Sequence, residues 1–189
     1  GGTYAVTVSN SNGCSATSAA QAVSVTTAPT ATVSASGSTS FCQGGSVTLS
    51  APAGYSYSWS NGATAQQIVV NTSGTYSVVV SAGAGCTATA QAVQVTVNSL
   101  PTATISTTGS TTFCQGGAVE LTSSTATGNQ WYNDGVLIPG AVNQTYSATT
   151  SGSYTCTFSQ SGCTSPASSP ISVTVIPTPA TPTITPGGP

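Results

Sequence analysis

Five of the six cysteines sit on a repeating grid. Cys42 and Cys114 lie inside two identical stretches, Phe41-Cys42-Gln43-Gly44-Gly45 and Phe113-Cys114-Gln115-Gly116-Gly117, 72 residues apart. Cys14 and Cys86 share that offset, and each follows a glycine, as Cys163 does. A Phe-Cys position and a Gly-Cys position recurring once per period point to disulfide chemistry in an oxidising compartment. Buried free thiols are the alternative, because Cys also packs as a small hydrophobe.

Little other chemistry is open to the chain. Its 189 residues include no Lys, Arg or His, and two acids, Glu120 and Asp134. General acid–base catalysis needs a titratable group near neutrality, and the many Ser and Thr hydroxyls need an adjacent base to become nucleophiles. No catalytic and no cofactor-binding residue is therefore assigned, and the chain reads as a non-enzyme. Without cations nothing neutralises phosphates, which argues against nucleic acid. The cysteines lack zinc-ligand spacing, and two lone acids do not make a calcium cage, so no metal is assigned. No apolar run approaches the ~20 residues that span a bilayer, and a leader with a basic start cannot be built without Lys or Arg. Membrane insertion within these residues is not expected, and export signals would lie outside them.

The elements that position the cysteines read as strands. Val, Ile, Thr and Tyr dominate the non-loop stretches, which is strand composition. Residues 1–26 alternate through Tyr4, Val6 and Val8, turn at Asn10-Ser11-Asn12-Gly13, and alternate again through Val23 and Val25. This is the closing hairpin of a repeat, and a lone hairpin is marginal in water. Its partner strands must come from outside these residues. Residues 28–98 form the cleanly bounded repeat, with about seven short strands at the spacing of an antiparallel sandwich. Residues 100–176 repeat it, with an insertion around Asn133-Asp134-Gly135 and Ile138-Pro139-Gly140 read as loop. Residues 177–189, with Pro177, Pro179, Pro182, Pro186 and Pro189, are a Pro-rich linker, or the start of a further repeat at Thr181-Pro182-Thr183-Ile184.

The set Phe-Cys-x-Gly-Gly, Trp131-Tyr132, Gln144-Thr145-Tyr146, Ser151-Gly152-Ser153-Tyr154 and Ser161-Gly162-Cys163 resembles the immunoglobulin-like repeats of very large secreted surface proteins of Bacteroidota. Gliding-motility and adhesin-type proteins are among these. The resemblance covers about residues 28–176. It implies an exported protein at the cell surface, acting as stalk, adhesin or filament. Tyr154-Thr155-Cys156 also resembles the Tyr-x-Cys of strand F in antibody-type domains, but no Cys occupies the facing strand at Val119 and Leu121. Cys156 corresponds to Val78 of the previous repeat and reads as a buried unpaired thiol.

Within such a sandwich the simplest bridges are Cys42–Cys86 and Cys114–Cys163, each stabilising its repeat by ~3–4 kcal/mol. Standard topology puts the corner before strand B and the F–G corner at opposite poles. A six-residue strand of about 20 Å separates them, whereas bridged Cα atoms lie within about 7 Å. Two resolutions stay open. Residues 37–45 could climb the side of the sandwich, since nine residues span up to ~30 Å, or one repeat could bridge the next through Cys42–Cys163. The intradomain bridges are the favoured expectation.

Trp59 and Trp131, with Tyr76 and Tyr154, are expected as core anchors, a strand-C Trp being the usual one. The competing reading makes the tryptophans sugar-stacking platforms. Asn71-Thr72-Ser73 and Asn143-Gln144-Thr145 match the glycosylation acceptor pattern and are read as accidental. The expectation is an all-β chain of tandem immunoglobulin-like antiparallel sandwiches, extracellular and non-catalytic, within a surface or filament protein. Its partners would be neighbouring repeats or identical subunits, with surface glycans as a further candidate. The alternative is an accessory carbohydrate-binding or spacer module of a secreted enzyme.

Overall fold

The computed structural model describes residues 1–83 and 85–184; among them there are strands and no helix. The chain divides into two compact units, Gly1–Val97 and Asn98–Pro189. Ala84, two positions before Cys86 in the sequence, and Pro186 and Pro189 lie outside the described residues.

Four strands open the first unit: β1 (Gly2–Tyr4), β2 (Thr7–Ser9), β3 (Ser15–Thr17) and β4 (Gln21–Val23). β1 pairs antiparallel with β4, and β2 with β3. Then follow β5 (Ser34–Ala35), β6 (Ser40–Cys42), β7 (Val47–Ser50), β8 (Ser56–Trp59) and β9 (Gln67–Val70). β10 (Gly74–Tyr76), β11 (Val78–Ser81), β12 (Thr87–Thr89) and β13 (Val93–Asn98) complete the set. One sheet runs β5-β7-β9. The other runs β6-β13-β10 and continues through Ser77 into β11, which pairs with β8 and β12. Period-two alternation turns Val47, Leu49, Ile68 and Val70 of the first sheet onto Trp59, Tyr76, Val78, Val80 and Val95 of the second, closing one core.

The second unit repeats the plan with β14 (Ile105–Thr107), β15 (Thr112–Cys114), β16 (Val119–Ser123), β17 (Asn129–Asn133) and β18 (Val136–Leu137). β19 (Thr145–Ala148), β20 (Gly152–Gln160), β21 (Cys163–Thr164) and β22 (Ile171–Ile176) finish it. The sheets are β14-β16-β19 and β15-β22-β20-β17-β18, with β21 on β20. Trp131 stacks on Tyr146 at 5.9 Å between ring centroids, and Tyr146 meets Tyr154 at 5.7 Å, inside a core that includes Leu121 and Val173. Each unit thus contains an immunoglobulin-like sandwich whose opening strand splits between the two sheets.

Two features differ from the sequence reading. The Phe-Cys stretch, which the sequence reading assigns to no strand, is one, and in the second unit it pairs in parallel with the last strand, Cys114 opposite Ile176. A parallel neighbour normally demands a crossover; here the whole domain supplies the connection, so no helix is needed. The insertion after Trp131 also carries β18, which folds back on β17 as a hairpin. Its turn is Asp134-Gly135, both at positive φ of 49° and 76°, the conformation that two-residue hairpin turns require.

Candidate functional site

The repeated Phe-Cys-Gln-Gly-Gly sequence has a local physical cause. The Gly45 N–H donates to the Cys42 carbonyl at 3.0 Å, and Gly117 donates to Cys114 at the same distance. The turn needs φ of 95° at Gly44 and 94° at Gly116, which a side chain resists. A Cβ on Gly45 or Gly117 would press on the ring of Phe41 or Phe113 at 3.1 and 3.0 Å. Those rings pack against the two cores, so each cysteine is held at a fixed place beside its sandwich.

The Gly-Cys cysteines sit at the hairpins β2–β3, β11–β12 and β20–β21. Asn10 N–H donates to the Cys14 carbonyl at 2.9 Å, and Ala82 N–H donates to that of Cys86 at 3.0 Å. Gly13, Gly85 and Gly162 carry φ of 84°, 79° and 80°. The preceding Asn10 Oδ1 accepts from the Asn12 and Cys14 N–H groups, both at 3.0 Å, which pins the first of these turns.

Cys42 and Cys163 are disulfide-bonded, while Cys14, Cys86, Cys114 and Cys156 carry free thiols. The expected bridges Cys42–Cys86 and Cys114–Cys163 are therefore not formed. The reason lies in the sheet register. Cys114 stands opposite Ile176, beyond the β22 residue that faces Gly152, whereas Cys163 stands opposite Gln160. β20 runs its full length from Gly152 to Gln160 between them, and nine residues at ~3.3 Å each put the two thiols well beyond bonding distance. Residues 37–45 do not climb to the other pole: after β5 the chain crosses to the opposite sheet, where Thr96 N–H donates to the Thr39 carbonyl at 2.8 Å.

Cys156 is buried opposite Trp131, as Val78 is opposite Trp59. Burial pushes its thiol pKa up, against hydrogen bonds from Gln130 and Ser123 that pull it down. Its Sγ lies 3.7 Å from Asn129 Oδ1, which also accepts from Ser123 Oγ at 2.6 Å. Trp59 and Trp131 are buried in the cores, and their indole N–H groups donate to the carbonyls of Ala65 at 2.8 Å and Asn143 at 3.0 Å. Neither offers a stacking face to a sugar. Tyr76 and Tyr154 are buried too, and their hydroxyls donate to the carbonyls of Thr72 and Thr150, four residues upstream. This is the tyrosine corner of such sandwiches. Sequence reasoning missed the hydroxyl's role, although Thr72 and Thr150 are its visible signal. Glu120 and Asp134 are exposed, and Asp134 Oδ1 accepts from the Ser153 N–H at 2.9 Å. Among the described residues no His, Cys, Asp and Glu cluster could hold a metal, and no helix is long and apolar enough to cross a membrane.

The hairpins at the N-terminus present the other unusual surface. Gly2↔Val23, Thr3↔Ala22 and Tyr4↔Gln21 reproduce the register Gly74↔Val95, Thr75↔Gln94 and Tyr76↔Val93. In the complete sandwich a third strand, β6 or β8, flanks each pair; among the described residues β1–β4 and β2–β3 have none. Tyr4, Val6, Val8 and Val23 are 62%, 65%, 63% and 49% exposed, whereas their counterparts Tyr76, Val78, Val80 and Val95 are 8%, 0%, 0% and 0% exposed. The same residues in the same register are core in one place and bare in the other.

No protein-family model matches the chain. No curated protein matches it either. Similar solved structures include a crystal structure of murine CEACAM1b, 14% identical at a TM-score of 0.40. Another is the mouse coronavirus receptor-binding domain complexed with its murine receptor, 13% identical at 0.42. Each comparison covers 78% of this chain and 100% of the other.

Proposed function

We propose that this chain is a structural and adhesive repeat segment of a large exported surface or filament protein, without catalytic function, built from repeats over 28–98 and 100–176. The hairpins over 1–26 are completed by strands of a neighbouring segment or subunit of the array. The observation that carries this is the contrast between the bare Tyr4, Val6, Val8 and Val23 and their buried counterparts. Covering such side chains is worth about 1.5–3 kcal/mol each, and strand addition is an established way to satisfy a sheet edge. Disulfide-bonded Cys42 and Cys163 support an oxidising, extracytoplasmic setting. The resemblance to surface repeats of Bacteroidota supports the cell surface as the place and extension away from the cell as the task.

Electron microscopy of the native material, paired with hydrogen exchange, tests this. Filaments are expected, with the amides of residues 2–9 and 15–23 protected in the assembly and fast-exchanging in the isolated chain. An assembly in which those amides still exchange freely would sink the completion of the hairpins, and native material without any extended array would sink the reading itself.

A further inference from the structure

The insertion that sets the second repeat apart from the first builds a cleft. One wall is β19, an edge strand of its sheet; the other is the turn through Ile138 and Pro139 that follows β18. The cleft encloses about 460 Å³, within the range of small-molecule sites. Register makes the first repeat an internal reference. Tyr146 stands opposite Leu121 as Ile68 stands opposite Leu49, and the carbonyls of Asn143 and Ala65 accept from the two indoles. Asn143, Tyr146 and Ser147 therefore take the places of Ala65, Ile68 and Val69. Three apolar side chains give way to hydrogen-bonding ones where the extra wall is added.

The main chain contributes as well. β19 pairs with β16 on one side, and among the described residues no strand lies on the other. The Ser123 N–H donates to the Gln144 carbonyl at 2.8 Å, so Gln144, Tyr146 and Ala148 bond to β16. By alternation Thr145 and Ser147 turn their N–H and C=O groups away from β16, on the cleft side. Tyr146 is half-buried, its ring held from within by Trp131 and Tyr154. Amide and hydroxyl groups both donate and accept, which sugar hydroxyls require, and a fixed aromatic ring suits the C–H face of a sugar. Charge narrows the choice. The chain has no Lys, Arg or His to pair with an acidic sugar, and Glu120, opposite Ser147, would repel one. We infer that this cleft binds a neutral saccharide, holding its hydroxyls through Asn143, Thr145 and Ser147 beside the Tyr146 ring. Such a site gives the adhesive half of the reading above its ligand class, and rests on that reading.

The test is titration of the full chain with sugars, followed by amide chemical shifts. The neutral arm is glucose, galactose, mannose, N-acetylglucosamine and disaccharides built from them; the acidic arm is glucuronic and sialic acids. At least one neutral sugar is expected to shift the amides of residues 138–147 and leave those of 65–69 in place, with the acids inert. Asn143→Ala and Ser147→Val copy Ala65 and Val69 at exposed positions, so the fold should hold. Each is expected to weaken binding about three- to tenfold, and Tyr146→Phe, which keeps the ring, should do the same. Shifts centred elsewhere, affinity unchanged in Asn143→Ala and Ser147→Val, preference for an acid, or no shift with any sugar would overturn the site. A cleft that binds nothing in material that still forms filaments defeats the site alone. Binding that maps to the cleft in material without filaments defeats the array and leaves the site standing.

Discussion

Gly152 and Cys156 show how closely one side chain can be specified. Gly152 has φ of 153°, and a Cβ there would overlap the Asn133 amide. Gly152→Ala should therefore destabilise the second unit by at least ~1–3 kcal/mol, read as a lower midpoint in chemical denaturation. Cys156 is expected to resist alkylation at neutral pH while Cys14 and Cys114 react, because the thiolate is the nucleophile and burial raises its pKa. The sign of the linkage follows. A folded-state pKa above the unfolded one leaves stability intact below the unfolded value, about 8.5 for a thiol, and loses it as pH rises from there. Tyr146, raised mainly by burial and then by Tyr154, acts in the same direction at higher pH. Stability measured against pH should fall on the alkaline side, and Cys156→Val, which copies Val78, should soften the first part of that fall.

At the scale of the elements, the Trp and Tyr anchors tie strands together. Trp131→Ala should cost about 3–5 kcal/mol, the usual penalty for emptying a buried aromatic site. Tyr154→Phe keeps the ring and loses the corner hydrogen bond to Thr150, so about 1 kcal/mol is expected. Equilibrium unfolding of both variants checks the ranking. The same elements show what alternation can reveal. Tyr4, Val6 and Val8, or Val93, Val95 and Val97, announce strands because each has one face to bury. β6 and β15 were illegible: three residues including a Cys, before a Gly-Gly turn, look like a loop until a distant strand lies beside them. β18, at two residues, was hidden for the same reason, and its exposed Val136 and Leu137 give no inward face. The cysteine partners could not be read from spacing because register, not period, decides which thiols stand at the same pole. The objection from pole-to-pole distance was already available in the sequence, and it outweighs the entropic gain that favoured bridges within a repeat.

At the scale of the whole molecule, composition sets handling properties. With no Lys or Arg in the chain, trypsin should leave it intact even after full denaturation, as electrophoresis would show; chymotrypsin should cut the denatured chain readily. The parallel pairing of β15 with β22 has a mechanical outcome. Tension applied through the two ends of that domain draws these neighbouring strands in opposite directions along their own length. All their shared hydrogen bonds then bear load together and must fail together, rather than opening one at a time like a zip. Forced unfolding is governed by the height of that barrier, so a tether built from such domains would yield late and abruptly under drag.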